Sequence, residues 1–283
     1  MDISIIVHQL RGFGIAFFLG PLLALSSQNA ESAGLENQDI RNPLLYAVAW
    51  KQTAAEYRAL YYQGFNIARM RVQNAIDNRK EGDLPLAVVS DVDDTLVHAM
   101  EYWGRLIEEN IDFFDDSIWD QWIPLNKITA TPGASKFLEF CRENNVEVFY
   151  VTSRDQGENT YQYALENLQS LNFPYLDQQH LSVLRDSSNK QPIQNRIAEN
   201  YNIVVFLGDN LNDFRRKFYS SSIDARQELM EQDKDKFGSQ FILFPNPTDG
   251  HWLRAIFGES EPSPTDSNRK ILRRAAAGSD DRS

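Results

Sequence analysis

The chain has 283 residues, with 28 Lys and Arg against 40 Asp and Glu, for a formal net charge of −12. Hydrophobic residues make up 42% and aromatics 12%, enough for a large buried core and too many for a wholly disordered chain. The acidic balance argues against binding to a nucleic-acid backbone, which needs clustered Lys and Arg. The single cysteine, Cys141, excludes an intramolecular disulfide and a cysteine-based zinc site.

Gly12 to Leu25 reads GFGIAFFLGPLLAL, an apolar run shorter than a membrane-spanning helix needs. Arg11 precedes it and the polar stretch SSQNAES follows. This predicts a signal peptide over residues 1–32 and export to the periplasm or beyond. No cysteine lies near the segment, so a lipid anchor is not expected. From Leu44 to Ile76 apolar residues recur at three- and four-residue steps, which predicts an amphipathic helical part over 44–80, broken near Gly64.

Leu86-Ala-Val-Val-Ser90 is a short apolar run like a buried parallel strand. Similar runs follow at Val146 to Val151, Ile203 to Leu207 and Phe241 to Phe244. Between them, Ala134 to Arg142, Glu158 to Leu171 and Pro192 to Asn200 have helical periodicity. The alternation predicts an α/β fold with a parallel sheet covered by helices on both faces. The segment 99–130 interrupts it with many aromatics: Tyr102, Trp103, Phe113, Phe114, Trp119 and Trp122. From Glu259 the chain is rich in Ser, Asp, Pro and Arg, and 259–283 is expected to be a disordered tail.

In such sheets ligands bind beyond the carboxyl ends of the strands. There the sequence places Asp91-Val-Asp93-Asp94-Thr95, then Thr152-Ser153-Arg154, then Gly208-Asp209-Asn210-Leu211-Asn212-Asp213. Carboxylates crowded at one rim are costly unless a cation neutralises them. Ligation by oxygen alone suits a hard ion such as Mg²⁺. A bound cation of this kind would also let an acidic protein take a small phosphorylated substrate.

This succession of motifs, DVDDT, FYVTSR, the lone Lys190 and GDNLND, resembles the haloacid dehalogenase superfamily of phosphohydrolases. More closely, the chain is similar to the class C bacterial acid phosphatases, which include a lipoprotein-type 5′-nucleotidase. The similarity runs from about Leu44 to Phe257 and includes AWKQTAAEY from Ala49, WDQW from Trp119, TPGA from Thr131 and FPNP from Phe244. It departs after DVDDT, where His98-Ala99-Met100 stands in place of the family's Asp-Asn-Ser turn.

The resemblance implies a haloacid dehalogenase-like, Rossmann-like phosphatase domain over 42–258, with a small, mainly helical, aromatic-rich cap over 99–130. It implies Asp91 as nucleophile and Asp93 as general acid and base. Thr152 and Lys190 would bind the phosphoryl group. Mg²⁺ would be held by Asp91, the Asp93 carbonyl, Asp209 and Asp213. Arg185 competes with Lys190 for its role, and Asp94 is read as solvated or a helix cap, without a catalytic role. Expected substrates are small phosphate monoesters, nucleoside monophosphates first, with the cap aromatics as a stacking surface or simply the cap's own core. The alternatives are a surface binding protein for haem or nucleotide on the same fold, and a phosphotransferase.

Overall fold

The computed structural model describes residues 42–278, so the expected signal segment 1–32 lies outside the described residues. The first two helices are α1 (Leu44–Thr53) and α2 (Ala55–Asn78). The break falls at Ala54, which is extended at φ −76° and ψ 126°, and not near Gly64 as expected. The helix runs on through Gly64, whose lack of a side chain lets Phe244 approach: a Cβ there would lie 2.6 Å from the ring. The close approach offsets the roughly 1 kcal/mol that Gly costs in a helix interior.

Next come β1 (Leu86–Ser90) and the two-residue strand β2 (Val97–His98). The insertion that follows holds α3 (Met100–Glu108), α4 (Asp116–Trp122) and a 3₁₀ turn at Ile123–Leu125. It closes at β3 (Thr129–Ala130), which pairs antiparallel with β2. The chain continues with α5 (Ala134–Glu143), β4 (Glu147–Ser153), α6 (Thr160–Ser170) and β5 (Leu181–Leu184). After these come α7 (Gln191–Asn200), β6 (Asn202–Gly208), the single turn α8 (Leu211–Phe214) and α9 (Ile223–Gln232). The last elements are β7 (Phe241–Leu243), α10 (His251–Phe257) and α11 (Asp266–Ala276).

Five strands form a parallel sheet in the order β5-β4-β1-β6-β7. β1 is fully buried at its centre, and alternate residues serve the two faces. Leu86 and Val88 join Val148, Tyr150, Val205 and Leu207 in the larger core with α1 to α6. Ala87 and Val89 join Phe149, Val151, Phe206 and Phe241 in a second core that includes Ile197 and Phe214. Burying both faces is why these strands read as continuous apolar runs.

The register brings the strand ends level: Ser90 is opposite Tyr150 on one side and Leu207 on the other. The chain after β1, the end of β4 and the end of β6 therefore emerge together, where the strand order turns outward in both directions.

In the cap, Tyr102, Trp103, Phe113, Trp119 and Trp122 are buried. Tyr102 packs against Trp103, Phe114, Trp119 and Trp122 at centroid distances of 5.1 to 6.1 Å. Tyr102, Trp103, Trp119 and Trp122 belong to the same larger core as the sheet residues Val88 and Tyr150, so the cap has no separate core of its own. Tail residues 266–276, expected to be disordered, are instead the helix α11. Thr265 caps it by accepting from the Asn268 N–H, and Arg269 ties it to the buried carboxylate of Asp112. Its composition is polar, but its Leu, Arg, Lys and Ala are strong helix formers. Among the described residues no helix is long and apolar enough to cross a membrane.

Candidate active site

Asp91 follows β1 directly, its N–H donating to Leu207 O at 2.9 Å. One carboxylate oxygen accepts from the Lys190 ammonium and the other from Thr95 Oγ1 at 3.0 Å. Lys190 also donates to Asp213 Oδ1 at 2.8 Å, so one ammonium bridges two carboxylates. All three groups are almost completely buried. Burial alone would lower the Lys190 amine, but Asp213 and Asp91 outweigh it and hold the amine above its ordinary value. Arg185, the other cation weighed for the role of Lys190, pairs with the exposed Asp155 instead.

Asp209 follows β6, and Asp213 lies in the short helix α8. Asp213 Oδ2 accepts from the Asn210 N–H at 2.9 Å, which fixes the turn that carries both aspartates. Gly208 makes this turn possible, because a Cβ there would lie 2.5 Å from Asp213 Cβ. Asp209 Oδ2 accepts from Asn210 Nδ2 at 2.8 Å and from Asn246 Nδ2 at 2.7 Å.

Carboxylate oxygens of Asp91, Asp209 and Asp213 all lie within 4.8 Å of one another. Burial, opposed by Lys190 and reinforced by Asp213 and Asp93, pushes the Asp91 carboxyl up to about 7. Burial followed by the charges of Asp213 and Asp91 raises Asp209 well above its ordinary value. Three hard oxygen donors that repel one another are a set that a small divalent cation would fit and neutralise.

The Asp93 carboxylate lines the same cavity but is not one of this trio. Arg154 grips it in a fork, Nε to Oδ2 and Nη2 to Oδ1, both at 2.7 Å. Thr152 Oγ1 donates to the same Oδ2 at 3.3 Å. Arg154 is itself fixed by Asn167 Oδ1 at 2.9 Å and lies over the Trp119 ring of the cap. The Asp93 carboxylate is therefore held by Arg154 and Thr152 in the cavity that also contains the three clustered aspartates.

Asp94 departs from expectation. It is buried, with a left-handed φ of 52°, and its carboxylate accepts from Lys51 at 2.8 Å. Lys51, wholly buried on α1, also donates to Thr248 Oγ1 at 2.9 Å. Tyr61 donates to the Asp94 carbonyl at 2.5 Å. His98 sits behind this turn, stacked on Tyr57 with Nε2 3.2 Å from its hydroxyl.

The four aspartates, Thr152 and Lys190 thus line one cavity of about 140 Å³. Arg154, Lys51 and Asn246 were given no role on sequence grounds. Arg154 adjoins Thr152 in its motif, which is the one signal that pointed to it.

Residues 22–252 match the family model for HAD superfamily, subfamily IIIB (Acid phosphatase). The chain belongs to that family. The structure is similar to that of the class C acid phosphatase from Bacillus anthracis with tungstate bound, at TM-score 0.75 and 27% identity, covering 83% of this chain and 97% of the other. A second structure of the class C acid phosphatase from the same organism matches at TM-score 0.73 and 27% identity, covering 83% and 96%. The protein is accordingly a class C acid phosphatase, an enzyme acting on small phosphorylated substrates. Phosphatases of this superfamily generally use a divalent metal, and the Asp91, Asp209 and Asp213 group suits one.

Proposed function

We propose that this chain is an exported, Mg²⁺-dependent acid phosphatase that hydrolyses nucleoside monophosphates through an aspartyl-phosphate. The observation that carries the reading is the convergence of Asp91, Asp209 and Asp213 at the ends of adjacent strands, with Lys190 on the Asp91 carboxylate. Export rests on the apolar segment at Gly12 to Leu25.

Asp91 attacks phosphorus in line with the leaving alkoxide, and the P–O bond to the alcohol breaks as the bond to Asp91 forms. Asp93 gives its proton to the departing oxygen. It then takes a proton from the water that attacks the aspartyl-phosphate, releasing inorganic phosphate and regenerating Asp91. Arg154 keeps Asp93 in place through both steps. Lys190 and Thr152 stabilise charge on the phosphoryl oxygens. Asp91, Asp209, Asp213 and the Asp93 carbonyl would hold Mg²⁺, which would supply the positive charge that lets a carboxylate approach a phosphate dianion. The Bacillus anthracis class C acid phosphatase binds tungstate, a tetrahedral oxyanion like phosphate, which supports the reading of this chain as an enzyme for phosphate esters.

The test is phosphate release from adenosine monophosphate and p-nitrophenyl phosphate, with Mg²⁺ and with EDTA. Release should stop in EDTA and return with added Mg²⁺. Release that is indifferent to chelation would remove the metal from the reading, and turnover of p-nitrophenyl phosphate alone would remove the nucleotide.

A further inference from the structure

The family match ends at residue 252, and the chain continues past it in an ordered strap. α10 stops at Gly258, left-handed at φ 83°, and residues 259–265 cross to the capping Thr265 of α11. The salt bridge from Arg269 to Asp112 fixes the far end. This crossing brings Ser260 and Glu261 to the wall of the same cavity that Asp91, Thr152, Lys190 and Asp209 line.

The cavity has a buried floor and an exposed rim. Asp91, Lys190 and Asp213 form the floor, whereas Glu261 is exposed as a residue. A phosphoryl group must sit against Asp91, so the alcohol part of the ester extends toward the rim. There the Glu261 carboxyl lies within hydrogen-bonding reach of Asp116, the first residue of α4, and near Asp249. Packing against the wall, then the Asp116 charge, pushes Glu261 up to about 7. Burial pushes Asp249 up to about 6. Among the described residues, Lys190 is the one Lys or Arg lining this cavity, and its ammonium is already held by Asp91 and Asp213. A second anionic group on the alcohol would meet carboxylates and no cation.

We propose that Glu261, with Asp116 and Asp249, determines specificity by admitting esters of neutral or cationic alcohols and rejecting esters that carry a second anionic group. The inference rests on the phosphomonoesterase reading above. It agrees with nucleoside monophosphates, whose leaving group is neutral, and disfavours bisphosphates and phosphorylated acids.

The experiment uses the full chain with Mg²⁺ at pH 7.5, above the raised values of Glu261 and Asp249. Competition of phosphocholine and of 3-phosphoglycerate against p-nitrophenyl phosphate hydrolysis gives two inhibition constants, and their ratio is the readout within each variant. The competition reads binding whether or not either ester is turned over. The unaltered enzyme should bind phosphocholine more tightly. Glu261→Gln should shrink the preference about threefold to tenfold, and Glu261→Lys should shrink it further or reverse it. Asp116→Asn should act in the same direction, with a melt to show that each variant is folded. A ratio that Glu261→Lys and Asp116→Asn leave unchanged overturns the proposal, as does an unaltered enzyme that prefers 3-phosphoglycerate. Absence of any p-nitrophenyl phosphate hydrolysis by the unaltered enzyme is a different failure, that of the phosphatase reading itself.

Discussion

The carboxylate of Asp91 is held from both sides, by Lys190 on one oxygen and Thr95 on the other. Its charge is costly where it stands, because burial and the charges of Asp213 and Asp93 all oppose ionisation. Asp91→Asn keeps the shape, removes the nucleophile and relieves the repulsion. Phosphate release should fall by about 10³-fold or more, while a thermal melt should show a midpoint equal to or above that of the unaltered protein. Full activity in this variant would remove Asp91 from the mechanism. Asp93 depends on the Arg154 fork, which a lysine cannot reproduce. Arg154→Lys should lower kcat by about 10- to 100-fold through misplacement of the acid, with a much smaller change in KM. A steady-state comparison on p-nitrophenyl phosphate separates the two. The aspartates and Lys190 were legible because each follows or precedes a recognisable element within a few residues. The partners Arg154 to Asp93 and Lys51 to Asp94 are 61 and 43 positions apart, and nothing local marks such pairings.

At the scale of elements, Lys51 joins three segments: α1, the catalytic turn after β1, and the loop before α10 that carries Thr248. Lys51→Met would leave the Asp94 carboxylate buried and unpaired. Breaking a buried pair in this way costs about 3–5 kcal/mol, or roughly 10 °C in a domain of this size. The double variant Lys51→Met with Asp94→Asn should recover much of that loss, since Asn also tolerates a left-handed φ. Thermal melts of both variants check it, and equal destabilisation in the two would show that packing by Lys51, and not its charge, matters. The sheet was legible for a related reason: β1, β4, β6 and β7 are buried runs whose apolar character survives in any context. The strand β5 was missed because it is short, carries Ser182, and has Ser182, Val183 and Leu184 only half-buried. The close approach of Phe244 to Gly64 joins positions 180 residues apart, and no local pattern encodes that contact.

Across the whole molecule, acid pH acts on the fold in two opposite directions. Glu261 and Asp249 have carboxyls raised in the fold, so their ionisation weakens it as pH rises from about 4 to 7. His98 works the other way. Burial lowers its pKa from 6.5 to about 4, with the charges of Asp94 and Lys51 as smaller, opposed influences. Below 6.5 the unfolded chain takes up a proton that the folded imidazole refuses, so stability is lost as pH falls from about 6.5 to 4. The shift is worth about 2–3 kcal/mol by pH 4.5. In His98→Gln no imidazole remains to titrate, although contacts with Tyr57 and Tyr61 are lost and the variant should be less stable at pH 7. The gap between variant and unaltered protein should then close by about 2–3 kcal/mol between pH 7 and pH 4.5, measured by denaturant melts at both pH values. A gap that stays constant would mean that the His98 ring titrates normally in the folded protein, and that its packing against the two tyrosines does not keep it neutral.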